Sequence, residues 1–316
     1  MRFEVQGKTI VIFGGTGFIG KQLISSLSKN ACKIFLVTRK SNNHEEFRIL
    51  AGIGQITIVN LNEFNENNLT ELLSGCDIVI NLIGILAENK NNSFTYVHEE
   101  LPSLISKVAK KVNIKRFIHL SALGVNKVKN SKYALSKLNG ENQVIKNFPD
   151  SIIIRPSVVF GANDSFVNLF NKIASFSPLL PIFGAPKLTK SIFESILNSR
   201  VKFQPVYVGD LAQFVIYILN FKSKIYDIAG PSIYSFDQII RLILKIKGVK
   251  RILLPIPFPI ASIMGHILEK LPFQILTSDQ VKLMMHENIS LRGLNNLKSI
   301  IKNPKTMEII LPTYIR

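Results

Sequence analysis

The apolar positions of the chain fall into short continuous runs separated by stretches with helical spacing. Lys8 to Phe13 is apolar after its first two residues and stops at a pair of glycines, the pattern of a parallel strand buried on both faces. Phe18 to Ser28 then places Phe18, Ile19, Leu23, Ile24 and Leu27 at helical spacing. Strand-like runs recur at Lys33 to Thr38, Gln55 to Asn60, Asp77 to Ile83, Arg116 to Ser121 and Ser151 to Arg155. Helical patterns lie between most of them, notably at Tyr96 to Val112 and Ser131 to Lys146, with no internal repeat and no low-complexity linker. This alternation predicts a parallel sheet with helices on both faces.

Chemistry enters where the first strand ends, at Gly14-Gly15-Thr16-Gly17-Phe18-Ile19-Gly20. Gly14, Gly17 and Gly20 read as G-x-x-G-x-x-G, and Gly15, Gly17 and Gly20 also satisfy G-x-G-x-x-G. In either frame one glycine permits the tight turn and one lets the backbone approach a pyrophosphate. The third lets the helix pack on the strand, its N-terminus facing the phosphates. A glycine motif between a strand and a helix near the N-terminus predicts dinucleotide binding on an α/β, doubly wound parallel Rossmann sheet. The expected division is a Rossmann domain over 1–160 and a smaller, interleaved C-terminal substrate-side region over 161–316, with about 203–230 returning to the sheet. The second strand ends in Val37-Thr38-Arg39-Lys40, with no carboxylate for the ribose hydroxyls of NAD. Arg39 and Lys40 suit a 2′-phosphate, which favours NADP(H) over NAD(H) against the plainer reading of two solvated basic residues.

Tyr133-Ala134-Leu135-Ser136-Lys137 is Y-x-x-x-K, a spacing that puts Tyr133 and Lys137 on one helix face, where a lysine ammonium would lower the phenol's pKa for acid/base work. With the glycine motif, it resembles the short-chain dehydrogenase/reductase superfamily, in its extended or atypical branch. Asp77 to Gly84, Phe117 to Gly124, Ile154 to Gly161, Phe203 to Ala212 and Ile309 to Ile315 follow in order along nearly the whole chain. Together, and most of all through Phe203-Gln204-Pro205-Val206-Tyr207-Val208-Gly209-Asp210, they resemble the Rossmann-type, NADPH-holding accessory subunit of respiratory complex I and its bacterial relatives. That resemblance implies a cofactor site of Gly14, Gly15, Thr16, Gly17, Phe18, Ile19 and Gly20 at the pyrophosphate, with Arg39 and Lys40 at the adenosine phosphate. Asn60 and Leu61 are expected by the adenine, Asn81, Leu82, Ile83 and Gly84 along the cofactor, and an Arg155-Pro156-Ser157 turn at the nicotinamide, with Lys137 reaching its ribose. Tyr133, Lys137 and Ser121 are the candidate catalytic residues. The sequence departs from the active pattern after Ser121, where Ala122 and Leu123 follow; a catalytic register on Ala122 has no hydroxyl, leaving Tyr133 and Lys137 to cofactor binding. Ala185 to Lys202 is longer than the family usually needs.

Composition bounds the partners. The 316 residues carry 39 Lys+Arg against 21 Asp+Glu, a net charge of +18 spread over both halves without a dense basic tail, so no nucleic-acid partner is expected. A solvated basic surface accounts for the charge as well as an anionic membrane surface or an acidic partner does. Two cysteines exclude a disulfide framework and match a reducing compartment, and five isolated histidines predict no metal site. The N-terminus does not read as a signal peptide. Ile252 to Leu276 is too interrupted to span a membrane; it reads as a core helix after a Pro-rich turn, or as an interfacial helix flanked by Lys250, Arg251 and Lys270. Two functions stay open. One is a complex-I-associated protein with a structural or regulatory NADPH, cytoplasmic and peripheral on the inner (cytoplasmic) membrane face. The other is a freestanding NADP-dependent oxidoreductase or epimerase-like enzyme using the Tyr-Lys pair on a quinone-pathway or lipid-like substrate.

Overall fold

The computed structural model describes residues 5–39, 45–184, 199, 201–221, 223–270 and 276–315. Lys40 and most of the stretch from Ala185 to Lys202 lie outside them. The chain forms two compact units, each discontinuous in sequence: Met1–Val125, Leu135–Arg155 and Val208–Tyr226 make the first, and Asn126–Ala134, Pro156–Tyr207 and Asp227–Arg316 the second.

The first unit carries the sheet. Strands β1 (Thr9–Phe13), β2 (Lys33–Thr38), β3 (Ile56–Asn60), β4 (Ile78–Asn81), β5 (Arg116–Leu120) and β6 (Ile152–Pro156) belong to it, with Ile225–Ile228 closing one edge. The order runs from Ile225–Ile228 through β6, β5, β4, β1 and β2 to β3, and β1 pairs in parallel with both β2 and β4. Crossovers are α1 (Phe18–Leu27), α2 (Glu45–Ile49), α3 (Glu66–Leu73), α4 (Leu101–Lys111) and α5 (Lys132–Asn147). Ile10, Val11, Ile12 and Phe13 are all fully buried, which is why β1 reads as an unbroken apolar run rather than an alternating one. The strand order reverses beside β1, so the carboxyl edges of β1, β2 and β4 border the cleft where doubly wound sheets bind ligands.

The helix expected from Tyr96 to Val112 is instead two pieces, a π-helical turn over Thr95–Glu100 and then α4. Pro102 has no N–H to return to the His98 carbonyl, so the α-helical ladder cannot continue there. Gly140 of α5 fills the space beside that carbonyl, where a Cβ would clash with it.

The second unit has its own core, a cluster of Phe166, Phe170, Phe183, Phe203 and Phe236 with edge-to-face and tilted ring contacts. Leu179–Phe183 pairs in parallel with Ile252–Ile256. The Pro-rich turn expected from Leu253 onward is thus a strand, and the following helix, Phe258–Leu268, buries Ala261 and Gly265 while Ile260, Ile263 and Ile267 face solvent. Phe258, Met264 and Leu268 of the same helix pack against the core, so it is apolar on its exposed face as well as its inner one. No helix of the described residues is long and apolar enough to cross a membrane.

Candidate functional site

The loop from β1 to α1 is shaped as a cradle with its floor closed and its mouth open. Gly14 has φ +73°, the left-handed region, and a Cβ there would come within 2.9 Å of the Ile83 nitrogen at the end of β4. Gly20 lies so close to the turn that a Cβ would sit 2.4 Å from the Gly15 Cα, which fixes α1 against the loop. Gly17 differs. It is exposed, it precedes α1 as the N-cap with no side-chain cap, and a Cβ there would meet a single atom, the Gly14 carbonyl oxygen at 3.3 Å. The first turn of α1 carries no acidic side chain, so its N–H groups and the positive end of the helix dipole suit an anion. These residues fit a dinucleotide pyrophosphate.

Around this loop the carboxyl edges supply further groups. Arg39 follows β2, exposed, and donates from Nη1 to the Asn92 Oδ1 at 2.7 Å. Asn60, paired in register with Thr38, is exposed at the end of β3, whereas Leu61 is packed in the core with Phe13 and Val37. Asn81 is fully buried: its Oδ1 accepts from the Ile83 N–H at 3.1 Å, which leaves Nδ2 to donate to the His119 Nδ1 at 3.2 Å. The His119 proton is then on Nε2, a buried atom without a hydrogen-bond partner among the described residues.

Lys137 is buried on α5 and donates to the Leu120 carbonyl at 3.2 Å. A Cβ on Gly84 would come within 3.0 Å of its Nζ and 3.7 Å of the His98 Nε2, so the glycine backbone sits against both groups. Burial pulls the Lys137 ammonium down to about 8, with the Glu141 carboxylate opposing the fall. His98 accepts the Ile85 N–H on Nε2 at 3.1 Å and therefore donates from Nδ1 to the Ser136 Oγ at 2.9 Å, clasping the β4 loop to α5. Burial, then the charges at Lys137 and His119, push His98 down to about 2; burial, then Lys137, push His119 down to about 3. Ser121 is buried with its hydroxyl unpartnered among the described residues. Arg155 and Pro156 end β6 rather than forming a turn, and the Arg155 guanidinium forms a buried bidentate pair with Glu141, its Nε 2.9 Å from Oε1.

In the second unit, Asp279 organises the start of α5. Its carboxylate accepts from the Ser131 hydroxyl at 2.7 Å and from the backbone N–H groups of Lys132 and Tyr133 at 2.8 and 3.0 Å. Loss of solvation and then this carboxylate raise the Tyr133 phenol to about 12. That is opposite to the lowering expected from Lys137. Ser157 donates to the Gln204 carbonyl at 2.6 Å, and Gln204, itself buried, donates to the Gly230 carbonyl and accepts from the Ser290 N–H. The Phe203-Gln204-Pro205 segment is thus a structural junction.

The family model described as the NAD dependent epimerase/dehydratase family matches residues 10–229, the span that holds the sheet and its glycine loop. The chain belongs to this family. It is 27% identical over 313 residues to the mitochondrial NADH dehydrogenase [ubiquinone] 1 alpha subcomplex subunit 9 of Mus musculus, covering 98% of this chain and 80% of that protein. Two solved structures share the fold. One is the Citrobacter sp. triphenylmethane reductase complexed with NADP(H), with a TM-score of 0.73 at 14% identity, covering 96% of this chain and 99% of that one. The other is the UDP-glucuronic acid 4-epimerase of Bacillus cereus in complex with NAD, with a TM-score of 0.70 at 20% identity, covering 97% and 96%. The two carry different dinucleotides on one fold, so the fold leaves the choice of cofactor to local residues.

Sequence patterns in this epimerase/dehydratase-family chain point to the glycine loop and the Tyr-Lys spacing but pass over His98, Glu141, Asn92 and Asp279. Each acts through a partner 14 to 148 residues away. The one local trace was Pro102, which marks the break in the helix after His98. Among the described residues no group of three or more His, Cys, Asp or Glu could hold a metal ion.

Proposed function

We propose that this chain binds NADP(H) in preference to NAD(H), keeps it as a structural or regulatory cofactor, and serves as an accessory protein of respiratory complex I. Its place is peripheral, on the cytoplasmic face of the inner membrane. The observation that carries this reading is the similarity to the murine mitochondrial protein across 98% of the chain. Local chemistry supports it. The end of β2 offers Arg39 and no carboxylate, Ala122 follows Ser121 where a hydroxyl would polarise a substrate, and Tyr133 is held far from the phenolate. The exposed Ile260, Ile263 and Ile267, with exposed Lys250 and Lys270 nearby in sequence, support an interfacial contact with anionic lipid.

When bound, the dinucleotide supplies hydride chemistry. The chain's own residues hold it: the first turn of α1 meets the pyrophosphate, Arg39 the adenosine phosphate, and Lys137 the nicotinamide ribose. Co-purification tests the partner. Solubilised complex should carry the chain; complex without it, and washed membranes that fail to retain it, would refute the reading. Native mass spectrometry tests the cofactor, which should remain bound through exchange against excess NADH. A second reading rests on the buried Ser121 hydroxyl, which has no partner among the described residues: a freestanding oxidoreductase on a quinone-pathway or lipid-like substrate. In that case Tyr133→Phe abolishes turnover and leaves the cofactor bound.

A further inference from the structure

We propose that Asn92 is a positioning residue for Arg39 and thereby sets how strongly the site prefers a 2′-phosphorylated dinucleotide. The inference rests on the NADP(H) reading above and names a residue that no motif singles out.

Arg39 leaves the carboxyl edge of β2 as an exposed side chain, and such an arginine ordinarily samples many rotamers. Here its Nη1 is fixed at 2.7 Å from the Asn92 Oδ1. The acceptor is itself built in. Asn92 donates from Nδ2 to the Asn89 Oδ1 at 3.1 Å, and the backbones of Asn89 and Asn92 exchange two hydrogen bonds of 3.1 and 3.2 Å. The Asn91 N–H also donates to the Asn89 Oδ1 at 3.0 Å, and the Phe94 N–H donates to the Glu88 Oε1 at 2.8 Å, closing the turn on its far side. The turn therefore presents a fixed amide oxygen to the guanidinium.

Two features make this contact supportive of phosphate binding rather than competitive with it. The bond uses one of the guanidinium's five N–H donors, leaving the rest for phosphate oxygens. An amide is also uncharged, so Arg39 is oriented while its full positive charge is kept; a carboxylate at the same place would orient it and neutralise it.

Isothermal titration of the full chain, first freed of any co-purified dinucleotide, with NADPH and with NADH tests this. The quantity read is the ratio of the NADH Kd to the NADPH Kd. Asn92→Ala should lower that ratio about three- to tenfold, with the loss carried by NADPH, because ordering one long side chain at binding is now left to the ligand. Asn92→Asp should lower it further. Arg39→Ala should bring it to about one. A ratio unchanged by Asn92→Ala while Arg39→Ala collapses it overturns the role of Asn92 and leaves the cofactor reading standing. A ratio raised by Asn92→Ala shows that the amide competes with the phosphate, and also overturns it. A ratio unaffected by Arg39→Ala, or a chain that takes up neither dinucleotide, overturns the cofactor reading itself.

Discussion

Mild acid should weaken this protein well before its carboxylates titrate, because two histidines are buried in the neutral form. His98 and His119 are both fully buried, and their pKa values are pushed down to about 2 and about 3. Both lie below the value of an unfolded histidine, so their contribution is fully present above about pH 6.5 and is lost as pH falls, the unfolded state binding protons that the native state refuses. At pH 5 that linkage removes about 2 kcal/mol per histidine relative to pH 7.5, or about 4 kcal/mol for the pair. Against a typical total of about 5–15 kcal/mol the loss is large. Urea unfolding at steps between pH 7.5 and 5.0 reads it directly. Glu66, Asp77, Glu269 and Glu308, all lowered, lose their support below this window, and the raised Asp164 acts in the opposite sense on wild type and variants alike. His98→Gln and His119→Gln should each remove about half of the pH slope whatever they do to stability at pH 7.5. A variant that keeps the wild-type slope would refute the neutral buried assignment for that residue.

The glycine loop separates folding from binding. Gly20→Ala, whose Cβ would sit 2.4 Å from the Gly15 backbone, should lower Tm sharply or prevent folding. Gly17→Ala meets one atom at 3.3 Å, so thermal denaturation should show a small change while calorimetric titration shows weakened dinucleotide binding. Glu141→Ala takes the bidentate carboxylate from the buried Arg155 guanidinium and should cost about 3–5 kcal/mol in urea unfolding, whereas Glu141→Leu with Arg155→Met should recover most of it.

How much of this was legible in the sequence depended on how local the cause was. The strands announced themselves because burial on both faces forces continuous apolar runs, and the glycine loop did so because its steric demands fall within seven residues. The closing strand Ile225–Ile228 is not among the strand-like runs, since it is four residues long and Asp227 interrupts its apolar pattern. The π-turn before α4 was missed although its cause, Pro102, is in plain view, since a helical pattern with a proline at its start also fits a single helix. The direction of the Tyr133 shift was missed for a different reason. Spacing puts Lys137 on the same helix face, but burial of the phenol raises its pKa first and Asp279, reaching the start of α5 from 146 residues away, adds to it; no local pattern carries either.

Lys137 shows why the buried part of the site favours a bound ligand. Its best carboxylate partner, Glu141, is committed to the Arg155 pair, and one of its three N–H donors goes to the Leu120 carbonyl. The ammonium is thus under-solvated, which is what draws its pKa down to about 8. Ribose hydroxyls would give the charged form the acceptors it lacks, and the dinucleotide's negative charge acts the same way, so binding must raise that pKa. At pH 8 Lys137 is about half protonated in the free protein, and binding should take up about half a proton from solution; at pH 6.5 the part of the exchange that belongs to Lys137 should be near zero. Calorimetric titration of NADPH in two buffers of different ionisation enthalpy measures that number. Equal apparent enthalpies in the two buffers at pH 8 would mean that the cofactor does not reach Lys137, and the ribose assignment would have to be given up.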